Sequence, residues 1–107
     1  MAFHSFQNNY HDSHIQSFQV GPRQEVTLDI HLDPVWNKGG AVTARIRFAG
    51  IKNFPDVSAF FGKFVKPEEG RFVDEIIGIK KTGKLTWLLD LDRSGSLVIQ
   101  CSHFDEL

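Results

Sequence analysis

The densest grouping of chemistry-bearing side chains is "NYHDSHIQSF", residues 9–18, where His11, Asp12 and His14 fall within four positions. Imidazole and carboxylate are donor types that take zinc and other divalent ions. His4, His31 or His103 would complete such a shell if the fold brought one of them near. The spacing works against a shared site. Residues three apart share a face on a helix but point oppositely on an extended strand, and the residues that follow read as a strand. Hydrolysis is the second chemistry on offer, with Ser13 as nucleophile, a neighbouring histidine as base and Asp12 orienting it. That chemistry needs a base within hydrogen-bond reach and an oxyanion hole, normally assembled from separate segments. No nucleophile-elbow motif accompanies the serine. The simpler reading is a turn in which Asp12 or Ser13 accepts backbone N–H groups and fixes the first strand. His11 and His14 then face different sides.

Two further stretches imitate ligand loops. "GIKKTGK", residues 78–84, matches the glycine and lysine spacing of a phosphate-binding loop, but Leu85 replaces the magnesium-binding Ser or Thr. The following "LTWLLDL" reads as a strand, whereas phosphate cradling needs a helix N-terminus there. "DLDRSG", residues 90–95, begins like a calcium loop, but its twelfth position is Cys101, a poor ligand for a hard cation. Both stretches read as hairpin tips, so no metal and no cofactor is expected.

The elements that position these residues follow a period of two. In "EVTLDIHL" Val26, Leu28, Ile30 and Leu32 point one way. In "AVTARIRF" Val42, Ala44, Ile46 and Phe48 point inward and Arg45 and Arg47 outward. "DPVWNKGG" supplies turn formers between them and carries Trp36. Paired as a hairpin, these strands set Glu25 and Asp29 against Arg45 and Arg47. "SHIQSFQV" is a first strand whose Ile15 and Phe18, three apart, call for a bulge. "RFVDEIIGIK", "LTWLLDL" and "SLVIQCSHF" are three more strands, joined through "KTGK" and "DRSG". In these, Leu85, Trp87, Leu89 and Leu91 share one face and Leu97, Ile99 and Cys101 join them. In "NFPDVSAFFGKFVKPEEG" Asp56 is placed to cap a short helix over residues 56–64, with Val57, Phe60, Phe61 and Phe64 at helical spacing. The expected fold is mainly β (α+β). About six antiparallel strands form a curved sheet, small sandwich or barrel-like arrangement with that one helix.

Composition sets the outer bounds. A chain of 107 residues with ten phenylalanines is one domain, residues 1–107, large enough to bury a core. Net charge is −1 with both signs interspersed, which leaves no basic stripe for nucleic acid. No apolar run approaches the ~20 residues of a membrane span, and "MAFHSFQNNY" lacks the pattern of a signal peptide. The lone Cys101 admits no intrachain disulfide and reads as a small buried hydrophobe. "FDEL" is an ER-retention tail only with a signal to accompany it, so a reducing cytoplasm is the expected compartment. Edge strands in so small a sheet also make a homodimer an expectation.

Three stretches give the chain a resemblance: "YHDSHIQSF" before "VTLDIHL", "ARIRFAGIKNF", and the closing "GSLVIQCSHFDEL". Together they resemble the immunity protein 50 family, small bacterial proteins predicted to neutralise secreted polymorphic toxins. That family has a His-Asp pair before its first strand, an F-x-G-V/I element after a long strand, and a final strand containing cysteine. The resemblance spans residues 10–104, with His11-Asp12 its sharpest mark. It implies a non-catalytic cytoplasmic protein-interaction module, not an enzyme, whose protein partner is a toxin inhibited by occlusion. His11, Asp12, Trp36, Arg45 and Arg47 are the candidate binding residues. The alternative is a metal- or small-ligand-binding domain built on His11, Asp12 and His14.

Overall fold

The computed structural model describes residues 6, 8–38, 40, 42–64 and 72–107. Six antiparallel strands and one helix follow one another: β1 (Ser13–Gly21), β2 (Glu25–His31), β3 (Thr43–Ile51), α1 (Phe54–Gly62), β4 (Asp74–Gly83), β5 (Thr86–Leu91) and β6 (Gly95–Glu106). The strands close into a barrel in the order β1-β2-β3-β6-β5-β4. The mainly-β fold with one short helix is thus the one expected, and the barrel is its closed form. The alternating apolar residues of β2, Val26, Leu28 and Ile30, are fully or almost fully buried, as are Ile46 and Phe48 of β3 and Leu89 and Ile99 opposite. A closed barrel gives each strand one inward face, so a period of two becomes a single continuous core.

Bulges keep that core continuous. Pairing between β1 and β2 slips between Ile15 and Ser17, which returns Phe18 to the inner phase as its three-residue spacing from Ile15 requires. A matching slip in β4 lies between Ile76 and Gly78 and lets both Ile76 and Ile79 point inward. In β3, Gly50 takes φ +63° opposite Ser102, and the buried residues step from Phe48 to Ile51.

Four local expectations are corrected. Val42 is 63% exposed because β3 begins only at Thr43; its carbonyl instead accepts the N–H of Leu32. Leu85 is also exposed: β4 continues to Gly83, so Lys84 and Leu85 form the turn itself. The helix starts at Phe54, two residues before Asp56, because Pro55 fits the first turn, where its missing N–H costs nothing. Asp56 therefore sits within that turn, near the positive end of the helix dipole. The N-cap position falls to Asn53, whose amide instead ties the helix start to β6 through Val98 O and Gln100 N. Finally, Asp29 does face Arg45, but Arg47 lies opposite Thr27 and binds Asp105 of β6, while Glu25 pairs with Gly21.

Two aromatic groups organise the packing. Phe61 and Phe64 from the helical segment meet Phe18 of β1 at ring separations of 5.4 and 5.5 Å. Elsewhere Trp87 stacks on Phe104 at 4.4 Å, with Phe48 and Phe6 completing the cluster. Such contacts add roughly 0.5–1.5 kcal/mol per pair beyond area burial.

Candidate functional site

The opening cluster divides between the barrel wall and its surface. Ser13 is fully buried, and its hydroxyl accepts the N–H of Asp33 at 3.2 Å. A nucleophile must reach substrate, and this one is committed to positioning the loop after β2. His14 stacks on Phe72 at 3.9 Å and approaches Glu75 at 3.5 Å. His11 takes other partners: its Nδ1–H donates to the carbonyl of Ile77 at 2.7 Å, and its ring meets Trp36 edge-on at 5.1 Å. The two histidines thus belong to separate groupings. Among the described residues, no group of three or more His, Cys, Asp or Glu side chains is arranged to hold a metal ion.

Asp12 joins His11 to Trp36. Its carboxylate accepts the indole N–H of Trp36 at 3.1 Å and lies 3.5 Å from His11 Nε2. Of the two residues expected to accept backbone N–H groups, Ser13 does so and Asp12 binds side chains instead. The residue adopts φ +60°, a left-handed conformation that aspartate tolerates better than most side chains. Trp36 remains 48% exposed, held at its nitrogen and open on its ring. Val35 and Val42 on the same β2–β3 connection are more exposed still.

That connection is braced from two directions. Asp33 Oδ1 accepts the N–H of Val35, an Asx turn that sets the chain leaving β2. Asn37 accepts the N–H of Asn9 and donates to the carbonyls of Asn9 and Asp33. Asn9 in turn accepts the N–H of His11. The result is an open cleft of about 680 Å³. It is lined by Trp36, Asn37 and Lys38 of the β2–β3 connection, by Gly78 and Ile79 of β4, and by the buried Tyr10. Burial holds the Tyr10 phenol far above its ordinary range, reinforced by its 2.6 Å hydrogen bond to Glu106. It stays a neutral donor.

Arg45 and Arg47 lie apart from this cleft, on the outer faces of β3. Arg45 Nε donates to Asp29 at 2.7 Å, and Ser17 donates to the same carboxylate. Burial alone would raise the pKa of Asp29, but these hydrogen bonds and the arginine charge bring it below the ordinary value. Arg47 donates to Asp105 at 2.9 Å while its Nε is buried without a partner among the described residues. His11, Asp12 and Trp36 therefore form one unit, and the two arginines form a separate polar stripe.

Sequence reasoning missed the two asparagines, which are 28 residues apart and meet only through the fold. It also missed Asp74, fully buried in the barrel wall. That carboxylate accepts the N–H groups of Glu75, Arg93 and Ser94 and the Ser94 hydroxyl. "DLDRSG" is thus a hairpin tip held by Asp74. A signal for it existed: Asp74 shares the inward phase of Ile76. The calcium-like Asp90 accepts the Ser96 hydroxyl, and Lys80 and Lys81 of the phosphate-loop lookalike lie within a strand.

No protein-family model, no curated protein and no solved structure matches the chain.

Proposed function

We propose that the protein is a non-catalytic protein-binding domain, of the kind that neutralises a toxin by covering its active site. The observation that carries this reading is Trp36: half exposed, fixed by Asp12 and flanked by exposed Val35. A large aromatic surface held in one orientation loses little entropy on binding, which is what an interface anchor requires. The interior favours the same reading, because Ser13 is sealed within it and Cys101 is buried with its thiol pushed up to about 11 by desolvation. Neither the Ser13 hydroxyl nor the Cys101 thiol is presented to solvent.

The reading is tested by co-expressing the protein with the products of its neighbouring genes. A stable complex is expected, with rescue of growth where the partner is toxic. Trp36→Ala is expected to weaken that complex at least tenfold without altering the fold. Absence of any complex and of any rescue would refute it.

A further inference from the structure

The barrel is joined unevenly. β4 pairs with β5 from Ile76 to Gly83, but with β1 only from Asp74 to Ile76. At the next residue the partner is a side chain: Ile77 gives its carbonyl to the His11 imidazole. Beyond it, the β1-side edge of β4 from Gly78 to Gly83 has no strand partner among the described residues. None of the described N-terminal residues, Phe6 and Asn8–Asp12, pairs with this edge as a strand. Tyr10 is buried, and Asn8, Asn9 and His11 line the cleft together with Gly78 and Ile79.

An unpaired strand edge offers alternating N–H and C=O groups, and the group that satisfies all of them is another strand. Charge decides which. Lys38 on the β2–β3 connection, Lys80 on β4 and Lys84 in the turn after it are exposed and make no ion pair among the described residues. A second copy docking by the same edge would set lysine against lysine, which is unfavourable. An acidic strand meets these lysines instead; of the nearby carboxylates, Asp12 is engaged by the Trp36 indole and Asp90 by the Ser96 hydroxyl.

We propose that the cleft beside β4 receives an extended acidic segment of a partner protein, added as a further strand along Gly78–Gly83. This rests on the protein-binding reading above and specifies its mode. Six residues at about 3.4 Å each span that edge. Alternate side chains of the segment face Ile79 and Tyr10, and the others face Lys38 and Lys80. Trp36 and His11 stand at the end where the ladder to β1 stops.

The probe is a blocked hexapeptide alternating glutamate with valine, titrated into isotope-labelled protein and followed by amide NMR. Expected are shifts and slowed hydrogen exchange concentrated at Gly78–Gly83, and at least tenfold weaker binding to a Lys38→Glu, Lys80→Glu double variant. A peptide N-methylated at alternate amides, and one with lysine in place of glutamate, are expected not to bind. Unchanged Gly78–Gly83 amides at about 5 mM peptide, or equal binding of acidic and basic peptides, would overturn the proposal. Capture of a partner that ignores the double variant but needs Trp36 would also overturn it, while leaving the protein-binding reading intact.

Discussion

Asp12 and Trp36, 24 residues apart in the chain, are joined by a 3.1 Å hydrogen bond from indole nitrogen to carboxylate. The bond fixes an otherwise exposed ring, so Asp12→Ala removes its tether and places alanine at φ +60°. The lost hydrogen bond and the backbone strain together cost about 1–2 kcal/mol. Acrylamide quenching of Trp36 fluorescence, read in a Trp87→Phe background, is expected to increase. Asp12→Asn keeps an acceptor and tolerates the left-handed conformation, so it should stay near the parent. Equal quenching in all three proteins would show that the bond does not hold the ring.

Asp74 predicts acid sensitivity. Its burial opposes ionisation, but hydrogen bonds from Ser94, Arg93 and Glu75 outweigh that and lower its pKa in the folded state. A carboxyl lowered on folding contributes its full stability above the unfolded value. That contribution is lost as pH falls through the unfolded value toward the folded one. Denaturant midpoints should therefore fall below about pH 4, more steeply in the parent than in Asp74→Asn. Asp29, also lowered but partly exposed, adds a smaller effect of the same sign. Asp74→Ala, which removes the acceptor of three part-buried N–H groups, is expected to cost about 1–3 kcal/mol at neutral pH.

Cys101 is 1% exposed, and desolvation pushes its thiol up to about 11. The thiolate is the reactive form, so an aromatic disulfide reagent is expected to label it only at the rate of unfolding at pH 8. Labelling should become immediate in denaturant. Rapid reaction of the native protein would contradict the burial.

Side-chain phase was what the sequence displayed best. Val26, Leu28 and Ile30 announced their strand, and the odd spacing of Ile15 and Phe18 announced a bulge that is present. Phase says nothing about where a strand stops, so alternation alone puts Val42 and Leu85 on strand faces, whereas both lie in the connections between strands. Closure was illegible too, because joining β1 to β4 rests on three residue pairs some 60 positions apart. At the site, the His11–Asp12 pair was visible as chemistry. Its true companion Trp36 was visible only as a turn residue, because no local pattern encodes an indole reaching back to a carboxylate.

Gly50 and Ser102 supply the sharpest test of the packing. Gly50 adopts φ +63°, and a β-carbon there would run into the Ser102 hydroxyl on the neighbouring strand. Two separable penalties follow for Gly50→Ala: left-handed backbone strain of about 1 kcal/mol, and a steric clash of about 1–2 kcal/mol. Ser102→Gly removes the clashing side chain but not the strain. The double variant should therefore recover the steric part alone, giving a coupling energy of about 1–2 kcal/mol in a double-mutant cycle. Urea unfolding of the four proteins measures it. Strict additivity would mean that the exposed Ser102 hydroxyl rotates away from the added carbon, leaving backbone strain as the whole penalty at Gly50.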